Sequence, residues 1–323
     1  MISPIGVGGA MRQRPKTRFK RVCDTNFLRT CLLAFMILSL TLIVTRNTPL
    51  AAQNMTVEDL LAQPPTPADH VITYGNDPLQ FGQLRLPEGN GPHPVIIVIH
   101  GGCWLSEYDL QHISPLATAL TKEGFATWSL EYRRVGNAGG GWPNTFLDAA
   151  QGADYLRELA KTFPLDLDRV ITLGHSAGGH LALWLAARHK LPGASPLYAE
   201  NPLQVKGVVS LAGVADLGLP EYQAICGGVV PQLMGGNPSE VPERYAHGSP
   251  IKLLPLDIPQ ILIQGAGDPT VSLSSAQAYH EAAQKSGDEA KLVVIQNAGH
   301  FEVVIPTTSC YPEVRKAVLA LID

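Results

Sequence analysis

The chain has 323 residues, 45% of them hydrophobic and 16% charged, with a formal net charge of −4. That balance excludes intrinsic disorder, which needs fewer apolar side chains and more charge. No repeat at a fixed period is visible, and nothing is low-complexity apart from short Gly/Pro loops.

Arg12, Arg14, Lys16, Arg18, Lys20, Arg21 and Arg29 form a basic lead opposed only by Asp24. An apolar run of fourteen residues, "CLLAFMILSLTLIV", follows from Cys31 to Val44. It falls short of the ~20 residues that span a bilayer. Together with the stretch "TPLAAQ" it predicts, over residues 1–52, a signal peptide or, if uncleaved, an N-terminal membrane anchor. The expectation is export, to the periplasm or the outside, with a mature form beginning near Gln53. The chain through Arg46 holds eight Lys/Arg and one Asp, which leaves 16 basic and 27 acidic residues, a net charge of −11, in the rest. A body of that charge has no basic stripe for a phosphate backbone, so nucleic acid is excluded as a partner. A membrane is expected only through the uncleaved N-terminal segment.

Residues 53–69, with the proline-rich "AQPPTPADH", predict a linker, and residues 70–323 a single domain. "VIIVIH" (Val95–His100) is a continuous β-branched run, as in a strand buried on both faces. A helical pattern from Leu110 to Glu123 stops at Gly124, before the strand "ATWSL". Then come "FLDAAQGADYLRELAK" as helix, "RVITLGH" as strand, "AGGHLALWLAARHK" as helix, and "VKGVVSLAG" and "PQILIQG" as strands. "SSAQAYHEAAQK" reads as helix, "KLVVIQ" as strand, and "PEVRKAVLALI" as the closing helix. Strand–helix alternation predicts an α/β fold, a mostly parallel doubly wound sheet flanked by helices. The Gly- and Pro-rich stretch 216–259 reads as a small inserted cap.

Gly174-His175-Ser176-Ala177-Gly178 is G-x-S-x-G at a strand-to-helix junction, where a serine hydroxyl stands at the carboxyl edge of the sheet. The pattern alone is weak, but it has company in the right order. "IHGGCW" follows the first buried strand, and N–H groups around Gly101 and Gly102, with that of Ala177, suit an oxyanion hole. "GAGDPTV" puts Asp268 just past "ILIQ", and "NAGHFE" puts His300 just past "KLVVIQ". Nucleophile, acid and base in the order Ser176, Asp268, His300 is the order of the α/β-hydrolases.

On these motifs the chain, from about residue 80 to its end, resembles the esterase/arylformamidase-like branch of the α/β-hydrolases, the BD-FAE and kynurenine-formamidase-like proteins, related to hormone-sensitive-lipase-type esterases. "HGGCW" fits the H-G-G-x-W form, and "LEYRRVG" stands where such relatives carry similar text. The resemblance implies a serine hydrolase of short-chain carboxylic esters, acting through an acyl-enzyme on a small-molecule ester or amide. Arylformamidase and prolyl-oligopeptidase-like peptidase activities share these parts, and a catalytically silent binding protein is the non-enzyme alternative. No cofactor is implied, and no H-E-x-x-H or zinc-spaced Cys/His set calls for a metal.

Other residues invite weaker expectations. Asp216 is an alternative acid. His100 is expected to shape the oxyanion loop, His175 to be structural or to line the pocket, and His180 to be packed. Trp104, Trp142 and Tyr222 stand between pocket lining and ordinary packing. Arg133 and Arg134 are expected in structural salt bridges, with Glu131 or another acid. Cys103 reads as a buried free thiol. Cys226 and Cys310 are read either as a disulfide pinning the cap to the catalytic histidine's loop or as two unpaired cysteines.

Overall fold

A computed structural model describes residues 54–64 and 67–322; the segment predicted as signal or anchor lies outside the described residues, together with Cys23 and Cys31. The strands are β1 His70–Thr73, β2 Phe81–Arg85, β3 His93–Ile99, β4 Ala126–Leu130, β5 Leu165–His175, β6 Gly207–Leu211, β7 Gln260–Gly265 and β8 Ala290–Ile295. The α-helices are α1 Val57–Leu61, α2 Ser114–Lys122, α3 Asn144–Asp154, α4 Leu156–Leu159, α5 Ala177–Ala187, α6 Val229–Met234, α7 Pro242–Gly248, α8 Leu273–Lys285 and α9 Tyr311–Ile322.

The strands form one sheet in the order β1-β2-β4-β3-β5-β6-β7-β8. The pairs β1–β2 and β2–β4 are antiparallel, and every later pair is parallel. Both faces are covered, as the continuous apolar runs require. Along β3, Val95, Ile97 and Ile99 enter one core while Ile96 and Val98 enter the other. The same period-2 division separates Val170 from Ile171 on β5, and Leu262 from Ile261 and Ile263 on β7. Helices α3, α5 and α8 and the cap cover the first face, and α1, α2 and α9 the second. Each fully buried Val, Leu or Ile in these layers stabilises the fold by roughly 1.5–3 kcal/mol relative to exposure.

Every residue of α5 is buried. A helix enclosed all round needs no polar stripe, and its sequence "AGGHLALWLAA" has none. Packing of this kind fixes the N-terminus of α5 against the carboxyl ends of β3, β5 and β6. The stretch expected as a linker is partly ordered structure. Thr56 caps α1 through a reciprocal bond with Asp59, and Leu60 is buried in the second core.

Candidate active site at the carboxyl edge of the sheet

β5 ends at His175 and α5 begins at Ala177, so Ser176 alone makes the turn, with φ +54° and ψ −118°. A non-glycine residue held there stores of order 1–3 kcal/mol of strain, and such strain collects at functional sites. Ser176 donates its N–H to Leu211 O at 2.9 Å, and its carbonyl accepts from His180 N at 3.0 Å. Small neighbours make the turn possible. A Cβ on Gly174 would lie 2.1 Å from Gly178 O, and one on Gly178 2.1 Å from Ile99 O.

The loops after β7 and β8 bring Asp268 and His300 together, with His300 Nδ1 2.8 Å from Asp268 Oδ2. The carboxylate only accepts, so Nδ1 carries a proton and Nε2 is the ring atom left facing away from Asp268. Asp268 also takes Gln264 Nε2 at 2.9 Å on Oδ2, and the N–H groups of Thr270 and Val271 at 2.8 and 2.9 Å on Oδ1. Burial works to raise the Asp268 carboxyl, but the hydrogen bond and charge of His300 and those two N–H groups outweigh it and hold the acid below its ordinary range.

The loop after β3 lies beside Ser176. Gly102 takes φ +99°, and a Cβ there would stand 2.3 Å from the Tyr108 side chain. His100 donates Nδ1–H to Gly101 O at 2.8 Å, so its Nε2 accepts, and Arg134 donates to it at 3.0 Å. Burial, then the Arg134 charge, push the His100 imidazole down to about 3, and it is neutral at working pH. Its approach to Glu131, 3.2 Å, is therefore a contact between a lone pair and a carboxylate and no ion pair. Ala177 is the first residue of α5, so its N–H has no intrahelical acceptor.

Ser176, His300 and Gly102 share one cavity of about 220 Å³, walled also by Val57, Cys103, Tyr108, His112, Cys226, Thr270 and Phe301. A wider cleft of about 650 Å³ adjoins it through Cys226 and Thr270 and carries Glu221, Tyr222, Ser272 and Ser274.

The cysteines overturn the sequence expectation. Cys103 is no free thiol: it is bonded to Cys226, with Cα atoms 6.3 Å apart. The buried free cysteine is Cys310. The reason lies in the layers. Cys103 and Cys226 pack against the core on one face of the sheet, and Cys310 belongs to the core on the other. No bridge between Cys226 and Cys310 can cross the sheet.

Other candidates fall away from the chemistry. Asp216 accepts the Gly218 N–H at 2.9 Å in a turn opening the insertion, away from His300. Arg133 holds Asp148 through two bonds of 2.7 and 2.6 Å, and Arg134 pairs with Glu131. His180 is buried, with Nε2 2.8 Å from Gly248 O, and stands edge-on to Trp104 and Phe146. Trp142 packs on Phe146, and Tyr222 bonds Ser275 beside the wider cleft. Among the described residues no group of His, Cys, Asp and Glu is arranged to hold a metal.

His112 and Val57 are cavity residues that sequence reasoning missed. His112 sits in "LQHIS", with no local signal. Val57 lies within "TVED", whose Thr-x-x-Asp spacing is a readable capping box.

Comparison with known proteins follows the same lines. A family model described as BD-FAE matches residues 83–283, more than half of the chain. Isoprenylcysteine alpha-carbonyl methylesterase ICME of Arabidopsis thaliana is 26% identical over 251 residues, covering 72% of this chain and 56% of its own length. Esterase LipC of Mycobacterium tuberculosis is 26% identical over 241 residues, covering 71% and 58%. The chain thus spans little more than half the length of the curated relatives it matches. Among solved structures, a bifunctional GH43-CE protein of Bacteroides eggerthii superposes with a TM-score of 0.66 at 21% identity, covering 78% of this chain and 38% of that one. Thermogutta terrifontis esterase 2, phosphoramylated by tabun, gives a TM-score of 0.63 at 19% identity, covering 80% and 94%. At these identities the likeness is one of fold, the α/β-hydrolase fold.

Proposed function

We propose, since the chain belongs to the BD-FAE family, that it is an exported serine esterase that cleaves short-chain carboxylic esters through an acyl-enzyme. The reading rests on one observation above all: the His300–Asp268 hydrogen bond stands beside the cavity that Ser176 and Gly102 share with His300. Ser176 Oγ attacks the ester carbonyl while His300 Nε2 takes its proton. Asp268 holds the ring and stabilises the imidazolium. The N–H groups of Gly101, Gly102 and Ala177 receive the negative charge on the carbonyl oxygen. His300 then protonates the leaving alcohol, the acyl group stays on Ser176, and water activated by His300 releases the acid.

Size supports the short-chain preference. About 220 Å³ lies below the ~300–1,000 Å³ of pockets for drug-sized ligands. The names of the relatives, a methylesterase and an esterase, agree with the reaction class. The Cys103–Cys226 disulfide supports export, because such bonds persist in oxidising compartments. Formamide hydrolysis would use the same steps and is the competing reading.

Hydrolysis of p-nitrophenyl esters of increasing acyl length, beside N-formylkynurenine, tests the proposal. Acetate or butyrate is expected to turn over fastest, and Ser176→Ala to lose a factor of about 10⁴ or more. Faster cleavage of the formamide than of every ester would replace the esterase reading. Ser176→Ala at the wild-type rate would end both.

A further inference from the structure

His112, His175 and His300 lie in a row. His112 Nε2 is 2.8 Å from His175 Nδ1, and His175 Nε2 is 2.8 Å from the backbone carbonyl of His300. The rings follow each other at centroid distances of 5.0 and 4.7 Å, and His112 and His175 are at most 2% exposed. The direction of each bond follows from the carbonyl at the end of the row. A carbonyl oxygen can only accept, so His175 must carry its proton on Nε2. A neutral ring with Nε2–H has a bare lone pair on Nδ1, so His112 must donate to it from its own Nε2. One tautomer is thereby fixed at each position.

We infer that His112 and His175 form a neutral imidazole relay that positions the catalytic His300. The inference rests on the triad reading above. His300 is carried on a loop after β8, and β8 is only partly buried. Its ring is tied to Asp268, but a ring position also requires a fixed backbone. His175 supplies that from beneath: as the residue before Ser176, it couples the nucleophile's turn to the histidine's loop. His112 ends the turn Leu110–His112 and itself walls the active-site cavity.

Charge makes neutrality a requirement. The groups around the relay are His300 and Asp268 on the catalytic loops and His100 on the oxyanion loop. When His300 becomes imidazolium in the transition state, a charged ring 4.7 Å away would oppose it. Burial, then the His300 charge, press His175 down to about 3, and His112 is pressed well below its ordinary value by burial and then by His175. The relay therefore orients without competing for the proton.

The test has two arms on the full chain. Nitrogen-15 imidazole spectra of the wild-type protein near pH 7 should assign both His112 and His175 as Nε2–H tautomers. His175 as Nδ1–H, or either ring protonated, would overturn the relay. In the kinetic arm, His175→Leu removes the donor to His300, whereas His175→Gln puts an amide N–H near the position of Nε2. A displacement near 1 Å at a reacting group costs on the order of 10²-fold. His175→Leu should accordingly lose about 10–100-fold in kcat with KM unchanged, and His175→Gln should recover most of it. Equal kcat in His175→Leu and wild type, or equal loss in the Gln and Leu variants, would overturn the relay. Ser176→Ala, run beside them, separates the two readings. If it is inactive while His175→Leu keeps full kcat, the relay fails alone; if it is active, the triad reading fails with it.

Discussion

Met55 donates its backbone N–H to Glu302 Oε1 at 2.6 Å, and Glu302 Oε2 accepts the N–H of Gly299, next to His300, at 2.8 Å. One carboxylate thus ties the N-terminal strap of the domain to the loop that carries the histidine. Two residues on, Val57 walls the cavity, and Gln111 Nε2 holds Leu61 O at 3.0 Å. A chain shortened to begin at residue 64 should therefore fold but lose roughly tenfold in kcat/KM on short esters, relative to a chain beginning at residue 54. Glu302→Ala in the longer chain should reproduce part of that loss. Steady-state kinetics of the three proteins checks this, and equal kcat/KM would show that the strap is not part of the site.

The choice of acid can be read out by paired substitutions. Asp268 accepts from His300, while Asp216 spends its carboxylate on the Gly218 N–H. Asp268→Asn is expected to lower kcat by on the order of 10³–10⁴ with little effect on folding, as loss of a triad acid does elsewhere. Asp216→Asn should stay within about threefold of wild type. A larger loss in Asp216→Asn than in Asp268→Asn would reverse the assignment.

These two predictions draw on different depths of the sequence. The parallel strands were legible where a strand buried on both faces is apolar without interruption, as Val95–Ile99 is, and less so in "ATWSL", where Thr127 and Ser129 are buried polar residues. The serine turn was legible because close approach of α5 to the end of β5 permits no Cβ at Gly174, and its approach to β3 none at Gly178. The antiparallel strands β1 and β2 were not. β1 is largely exposed, and β2, "FGQLR", mixes Gly and polar residues, so neither shows an apolar run. Gly82 on β2 is set by a distant partner, since a Cβ there would meet the Trp128 ring at 2.4 Å. Nor were the partners of the cysteines legible. Which cysteine meets Cys226 depends on how the cap folds back over the sheet, and spacing along the chain carries no information about that.

The disulfide joins the loop after β3 to the segment between β6 and β7 across 123 residues. Closing a loop of that length restricts the unfolded chain by ~5 kcal/mol in the chain-entropy account. Both sulfurs also belong to residues walling the cavity that Ser176 and His300 share. Cys226→Ser should lower the melting temperature in non-reducing buffer, and a reductant should lower the wild-type value toward that of the variant. Mass spectrometry of a non-reduced digest should recover a Cys103–Cys226 cross-linked peptide with Cys310 alkylated apart. Recovery of a Cys226–Cys310 peptide would contradict the layer assignment.

Four buried histidines make stability depend on pH in a predictable direction. Burial presses His100 and His175 to about 3, His180 to about 4, and His112 well below the ordinary value. In the unfolded chain each titrates near 6.5. Between these limits the unfolded state binds protons that the native state refuses, so stability falls as pH falls. Full stability is present above pH ~6.5, and each histidine removes roughly 1 kcal/mol per pH unit inside its window. Asp268, held below its ordinary range, acts in the same direction once pH drops below ~4. His180 isolates one share of the effect because it lies outside the proposed catalytic groups, bonding Gly248 O behind Ser176. His180→Gln keeps a donor for that carbonyl but cannot titrate. Urea unfolding at pH 7, 6, 5 and 4 should give a shallower decline for the variant, by about one proton between pH 6 and 5, whatever its offset at pH 7. Parallel curves for variant and wild type would mean that His180 is protonated in the folded protein, and that its burial does not set its charge.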